Sequence, residues 1–105
     1  DLEHRAHVLD DVLRQVRTEI GQYAANYGAA SEQVVLLQTA VIPLAEQTVD
    51  SMLAGYQVSR VDFLNVINGQ LMLHNARIDY WKSLSDAKQS LAKLAAAVGE
   101  ESLYE

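Results

Sequence analysis

From Leu2 to Thr48, apolar or small residues recur in alternating steps of four and three without a slip: Leu2, Ala6, Leu9, Leu13, Val16, Ile20, Tyr23, Tyr27, Ala30, Val34, Leu37, Val41, Leu44 and Thr48. That spacing is a heptad a/d seam, held well past the three or four heptads that define a coiled coil. A chain with this pattern folds as a long helix with one apolar face to cover. A second stripe, Val35, Ile42, Val49 and Leu53, runs beside the first in the later half. Two adjacent seams on one helix imply two neighbours, and so a larger helical assembly.

Two places test the continuity of this helix. Gly21, Ala24, Ala25, Gly28 and Ala29 line its middle with small residues. Each glycine costs a helix roughly 1 kcal/mol relative to alanine, which makes sense if another backbone approaches closely there. Alternatively, Gly28 ends one helix and Ser31 caps the next, giving a three-helix bundle. Pro43 lacks a backbone donor, and its ring clashes with the Thr39 carbonyl. Val41 and Ile42 are poor caps, so Pro43 reads as a kink within a continuing helix.

The first pattern stops in Ala54–Leu64. A second runs away from it: Leu64, Ile67, Leu71, His74, Ile78, Trp81, Leu84, Ala87, Leu91, Leu94 and Val98. Its steps are three and four except at 81-84-87, a stammer that overwinds a coil locally. Asp62 serves as an N-cap carboxylate, and Gly99 as a C′ residue. The expected fold is all-α, a long antiparallel helical hairpin: helix 1–57, tip 58–61, helix 62–98, tail 99–105. At 1.5 Å per residue the helices measure about 85 Å and about 56 Å. The second then reaches back only to Gln22, and Leu2–Ile20 keep a seam without a partner in this chain. Missing parts of a parent protein, or another copy, would cover it. A start in mid-pattern at Asp1-Leu2-Glu3, without Met, fits an excised piece whose targeting signal lies elsewhere.

Composition narrows the chemistry. The net charge of −6 argues against nucleic-acid binding by phosphate neutralisation. There is no cysteine, hence no disulfide framework or thiolate metal site. No apolar run approaches ~20 residues, so no membrane-spanning helix is expected. The serines lack a His/Asp relay and no glycine-rich phosphate loop occurs, so neither an enzyme nor a cofactor is expected. His4 and His7 lie three apart with Asp10 or Asp11 one turn on, a spacing that suits either a metal or a solvated helix end. His74 falls on the expected seam, where a polar residue sets register.

The turn is unusually apolar. Tips of soluble hairpins favour Gly, Asn and Asp, whereas this one carries Tyr56, Val58 and Phe63 around Gln57-Val58-Ser59-Arg60. These residues either close the end of the helix pair or form a docking surface. Asn65 and Asn68, three apart just beyond, are either a solvated amide pair or the polar lining of a pore or groove.

Pro43-Leu44-Ala45-Glu46-Gln47, Ala54-Gly55-Tyr56-Gln57-Val58 and Val61-Asp62-Phe63-Leu64-Asn65-Val66-Ile67-Asn68-Gly69-Gln70 together resemble the outer-membrane efflux protein family, the TolC-like channels. Leu73, Ala76, Tyr80 and Ala96-Ala97-Val98-Gly99 are similar to the family's closing pattern. The resemblance covers nearly the whole chain in order and spacing. It implies a homotrimer with a β-barrel in the outer membrane and a long α-helical barrel in the periplasm, of which this chain is the last hairpin of the C-terminal repeat. It implies that Gly55, Tyr56, Val58, Ser59, Arg60, Asp62 and Phe63 meet a periplasmic adaptor and inner-membrane pump, and that Asn65 and Asn68 face the channel constriction. It also implies a passive gated duct that opens like an iris. Two departures stand out: the family's turn glycine is Ser59 here, and the acidic residues of some members are Asn65 and Asn68. A self-contained coiled-coil scaffold that mediates oligomerisation is the other reading.

Overall fold

The computed structural model describes residues 1–104. Three α-helices follow one another: α1 (Leu2–Leu36), α2 (Ile42–Gln57) and α3 (Phe63–Leu103). A five-residue π-helical turn, Leu37–Val41, joins α1 to α2 without a break. The described residues are all-helical or turn, and no strand occurs among them. Two compact units divide the chain, one of residues 1–30 and 85–105, the other of residues 31–84.

α1 passes through Gly28 as regular helix, so the break that would have produced a three-helix bundle does not occur. Nor does a close backbone approach explain the small residues there: a Cβ added at Gly21 or Gly28 would meet nothing within 4 Å. Those positions lie on the exposed side.

In the first unit α1 turns Leu13, Val16, Ile20, Tyr23 and Tyr27 inward, with Val16 buried. α3 contributes Ala87, Ser90, Leu94, Ala97 and Glu101. Arg17 and Glu101 bridge the two helices at 3.4 Å. Both are partly exposed, so this pair sets alignment more than stability. Two expectations are corrected here. α3 continues through Gly99 to Leu103, because Glu100, Glu101 and Leu103 are good helix formers and Gly99 keeps a negative φ. The longer α3 then covers Leu13, Val16 and Ile20, and the stretch of α1 left bare shrinks to its first turns, where Leu2, Val8 and Leu9 stay exposed.

In the second unit α2 and α3 pack antiparallel. Glu46 pairs with Arg77 at 3.5 Å, while Met52 and Val49 lie over Gly69. A Cβ at Gly69 would sit 2.6 Å from Met52 Sδ, so the absent side chain is what admits the neighbouring helix. The inward residues of α3 are Val66, Gly69, Leu73, Ala76, Tyr80 and Ser83. With those of the first unit they form an unbroken three–four series along α3 from Val66 to Glu101.

That series is not the one expected. Leu64, Leu71, His74, Ile78 and Trp81 are exposed, Trp81 at 65%. The apparent stammer at 81-84-87 was a step from this outer stripe onto the inner one, and α3 is uninterrupted α-helix there. Larger side chains drew the expected seam to the outer face. The true interface alternates large residues with small ones, and the small ones, Gly69, Ala76, Ser83, Ser90 and Ala97, contribute little apolar area but allow close packing.

A similar displacement occurs in α2, and it has a local cause. Up to Leu37, which is 3% exposed, the first seam holds. Beyond it Val41, Leu44 and Thr48 turn outward, Leu44 to 64%, and Ile42, Ala45, Val49 and Met52 face α3 instead. The π-turn accounts for the change. The Ile42 amide donates to the Leu37 carbonyl, one residue further back than in an α-helix. One extra residue in the turn rotates everything downstream by ~100°. Pro43, the second residue of α2, supplies the reason: the wider turn relieves its ring of the Thr39 carbonyl. The kink expected at Pro43 is thus a one-residue π-bulge.

Deleting Ala40 together with Pro43→Ala removes both the extra residue and the ring that needs the wider turn, while leaving the inward faces of α1 and α2 as they are. Thermal unfolding followed by circular dichroism should show the deletion variant at least as helical as the parent and close to it in Tm. Deleting Ala25, which rotates the upstream seam with no bulge to absorb it, should lower Tm clearly. Equal losses from the two deletions would refute this account.

Candidate functional site at the turn

α2 ends at Gln57 with a Schellman motif. The Arg60 amide donates to the Gly55 carbonyl at 2.8 Å, and the Ser59 amide to the Tyr56 carbonyl at 3.0 Å. This arrangement needs a left-handed residue at C′. Ser59 takes it, with φ of 62°, and is the one non-glycine residue with positive φ among those described. For an L-residue that conformation costs roughly 1–2 kcal/mol, less where a short polar side chain can bond locally. Gly55 explains how the turn stays tight. A Cβ there would lie 2.5 Å from Val61 Cγ2, so Val61 folds back onto the helix it has just left.

α3 begins after Asp62, whose carbonyl accepts from the Asn65 amide at 3.0 Å and the Val66 amide at 3.4 Å. Asp62 therefore occupies the expected N-cap position, but the bonds formed here go to its backbone rather than to its carboxylate. Across the turn the rings of Tyr56 and Phe63 meet at a centroid distance of 5.7 Å and an interplanar angle of 52°. Tilted aromatic pairs at this separation are favourable beyond the area they bury. The pair closes the end of the helices, yet both rings remain about half exposed, and Val58 is 63% exposed.

The turn thus brings together Gly55, Tyr56, Val58, Ser59, Arg60, Asp62 and Phe63. It presents Val58, Ser59 and Arg60 to solvent and gives Gly55 an internal role. Asn65 and Asn68 are exposed on α3, outside its contact with α2. Their side-chain amides make no hydrogen bond among the described residues, so a neighbouring chain or solvent can take them up.

Sequence reading missed two features. One is Val61, for which the signal was a glycine in the last turn of α2, six residues upstream. The other is an apolar groove beside the α2–α3 contact, lined by Val41, Leu44, Ala45, Thr48, Gly69, Met72 and Ala76. Its signal was the second stripe through Ile42 and Val49, offset from the first by one residue.

At the N-terminal end His4, His7, Asp10 and Asp11 do not converge. Asp10 instead pairs with Arg14 at 3.3 Å, and no group of three or more His, Cys, Asp or Glu side chains gathers among the described residues. The helical run Leu2–Gln57 is long and apolar enough to cross a membrane by length and composition, contrary to expectation. A helix awaiting partner helices meets the same test.

The class defined by this fold is an all-helical chain in which a long helix packs against another. No family model, curated protein or solved structure matches it.

If Ser59 bears left-handed strain, Ser59→Gly should stabilise the chain by about 0.5–1 kcal/mol, the relief being partly offset by added freedom of the unfolded chain. Ser59→Val should destabilise it by at least as much. Urea unfolding of the two variants checks both, and a Ser59→Gly variant less stable than the parent would refute the strain argument.

Proposed function

We propose that this chain is the periplasmic helical hairpin of a TolC-like outer-membrane efflux channel, a passive exit duct in a tripartite pump. The observation that carries the reading is the positive φ of Ser59. The resemblance puts the family's turn glycine at this position, and a left-handed residue is what a glycine there would serve. The departure from glycine is therefore a change of residue, with the turn geometry kept.

The outer stripes support the same reading. Val35, Leu36, Leu44 and Leu53 on one side, and Leu64, Leu71, Ile78 and Trp81 on α3, remain uncovered. Exposed apolar surface at helical spacing calls for further helices, which a trimeric α-helical barrel supplies. In this assembly Val58, Ser59, Arg60 and Asp62 face the adaptor, and Asn65 and Asn68 face the constriction. With amides in place of carboxylates, the constriction would have no cation-binding ring of its own at those positions.

An oligomerising coiled-coil scaffold draws on the same exposed stripes. The two readings differ in what the chain does alone. A scaffold forms one defined oligomer by sedimentation equilibrium, whereas a duct segment associates without fixed stoichiometry.

The docking role is tested at Arg60, which contributes only a backbone amide to the turn. In the full-length protein, Arg60→Glu should lower resistance to exported compounds while the hairpin keeps its helicity and Tm. Unchanged resistance in cells carrying the substitution would remove Arg60 from the docking surface.

A further inference from the structure

The segment around the π-turn carries two packing solutions, and only one of them is occupied. In the structure Ile42, Ala45, Val49 and Met52 face α3. One residue back, Val41, Leu44 and Thr48 continue the upstream seam in the steps that an all-α helix would use. Neither series is polar enough to be excluded from an interface.

The space for the second solution is already present. Val41, Leu44 and Thr48 form one wall of the apolar groove, and Gly69, Met72 and Ala76 of α3 form the other. If the π-turn closed to regular helix, α2 would rotate by ~100° about its axis. Leu44 and Thr48 would then take the places of Ala45 and Val49. Gly69 makes this feasible on the α3 side, since it presents no side chain to obstruct either register.

We propose that the Leu37–Val41 π-turn is a register switch, which lets α2 pack on α3 in either of two registers one residue apart. Pro43 holds it in the observed setting, because the all-α alternative drives the proline ring into the Thr39 carbonyl. π-bulges often sit where a helix changes state, and here both states are written in the sequence. The two differ in which apolar residues they show outside: Val41 and Leu44 in the one observed, Ile42 and Val49 in the other. A partner helix seated against α2 would therefore select between them by which set it covers. This inference is independent of the exit-duct reading.

The absence of cysteine makes thiol labelling clean. Val49 is buried against Gly69, whereas Thr48 is exposed. In the full chain, a single Val49→Cys should react slowly with a water-soluble thiol reagent, and a single Thr48→Cys rapidly. Introducing Pro43→Ala should slow labelling of Thr48→Cys severalfold and speed that of Val49→Cys. Should Pro43→Ala compromise folding, Val49→Asp provides a second route. It keeps the proline, penalises the observed register and should likewise slow labelling of Thr48→Cys. Labelling of Thr48→Cys that stays at the parental rate in both backgrounds would overturn the proposal.

Discussion

Close helix packing along a seam of small side chains is the constraint on which this structure depends. Between Val66, Leu73, Tyr80, Ala87 and Leu94, α3 offers Gly69, Ala76, Ser83, Ser90 and Ala97 at every seventh position of its inner face. Side chains of that size let a second helix lie near the backbone but bury little apolar area of their own. Specificity then comes from interlocking, as when Met52 fills the place left open at Gly69. Several large residues of α3, Leu64, Leu71, Ile78 and Trp81, are left on the outer face.

The π-turn follows from the same constraint. α3 keeps a rigid periodicity, so the helix packed on it must keep phase. The Ile42–Val49 face that meets α3 lies one residue further along from Leu37 than a regular helix would place it. A single wide turn absorbs the excess, and Pro43 pins it to one place. The inner faces of α1 and α2 are thus kept in phase at the expense of one weakened turn. Thr39 and Thr48 hydroxyls donate to carbonyls four residues back, at 2.6 Å and 2.8 Å. Such back-bonding bends helices and accompanies the bulge here.

Much of the fold was legible in the residues, and the misreadings have a common physical origin. Helix continuity and the positions of the turn and of the cap at Asp62 followed from periodicity and turn chemistry, though the capping bonds go to the Asp62 carbonyl and not to its carboxylate. The heptad seam of α1 was read correctly through Leu37. It failed at Val41, where a bulge depends on the packing of a partner and leaves no mark beyond a proline. On α3 the error was one of weight: hydrophobic size pointed to the outer stripe, while every second position of the inner one is an alanine, a serine or a glycine. Periodicity identifies faces, but it does not say which face meets which neighbour. At the turn, Ser59 stood out as the residue that takes a glycine's place. Its partner Val61 was not, because that contact depends on the chain doubling back.

The turn also has a kinetic meaning. Gly55 and Val61 are six residues apart in the chain yet in direct contact, so this is the shortest loop by which the second unit can begin to close. Loop-closure entropy is smallest for such a contact, and each later pair along α2 and α3 adds to an already formed end. Closing this unit outward from the Schellman motif, like a zip drawn from its stop, is therefore the order that costs least loop entropy. A residue reluctant to adopt positive φ sits at the first step, so Ser59 bears on the speed with which the helices find each other as well as on the final geometry.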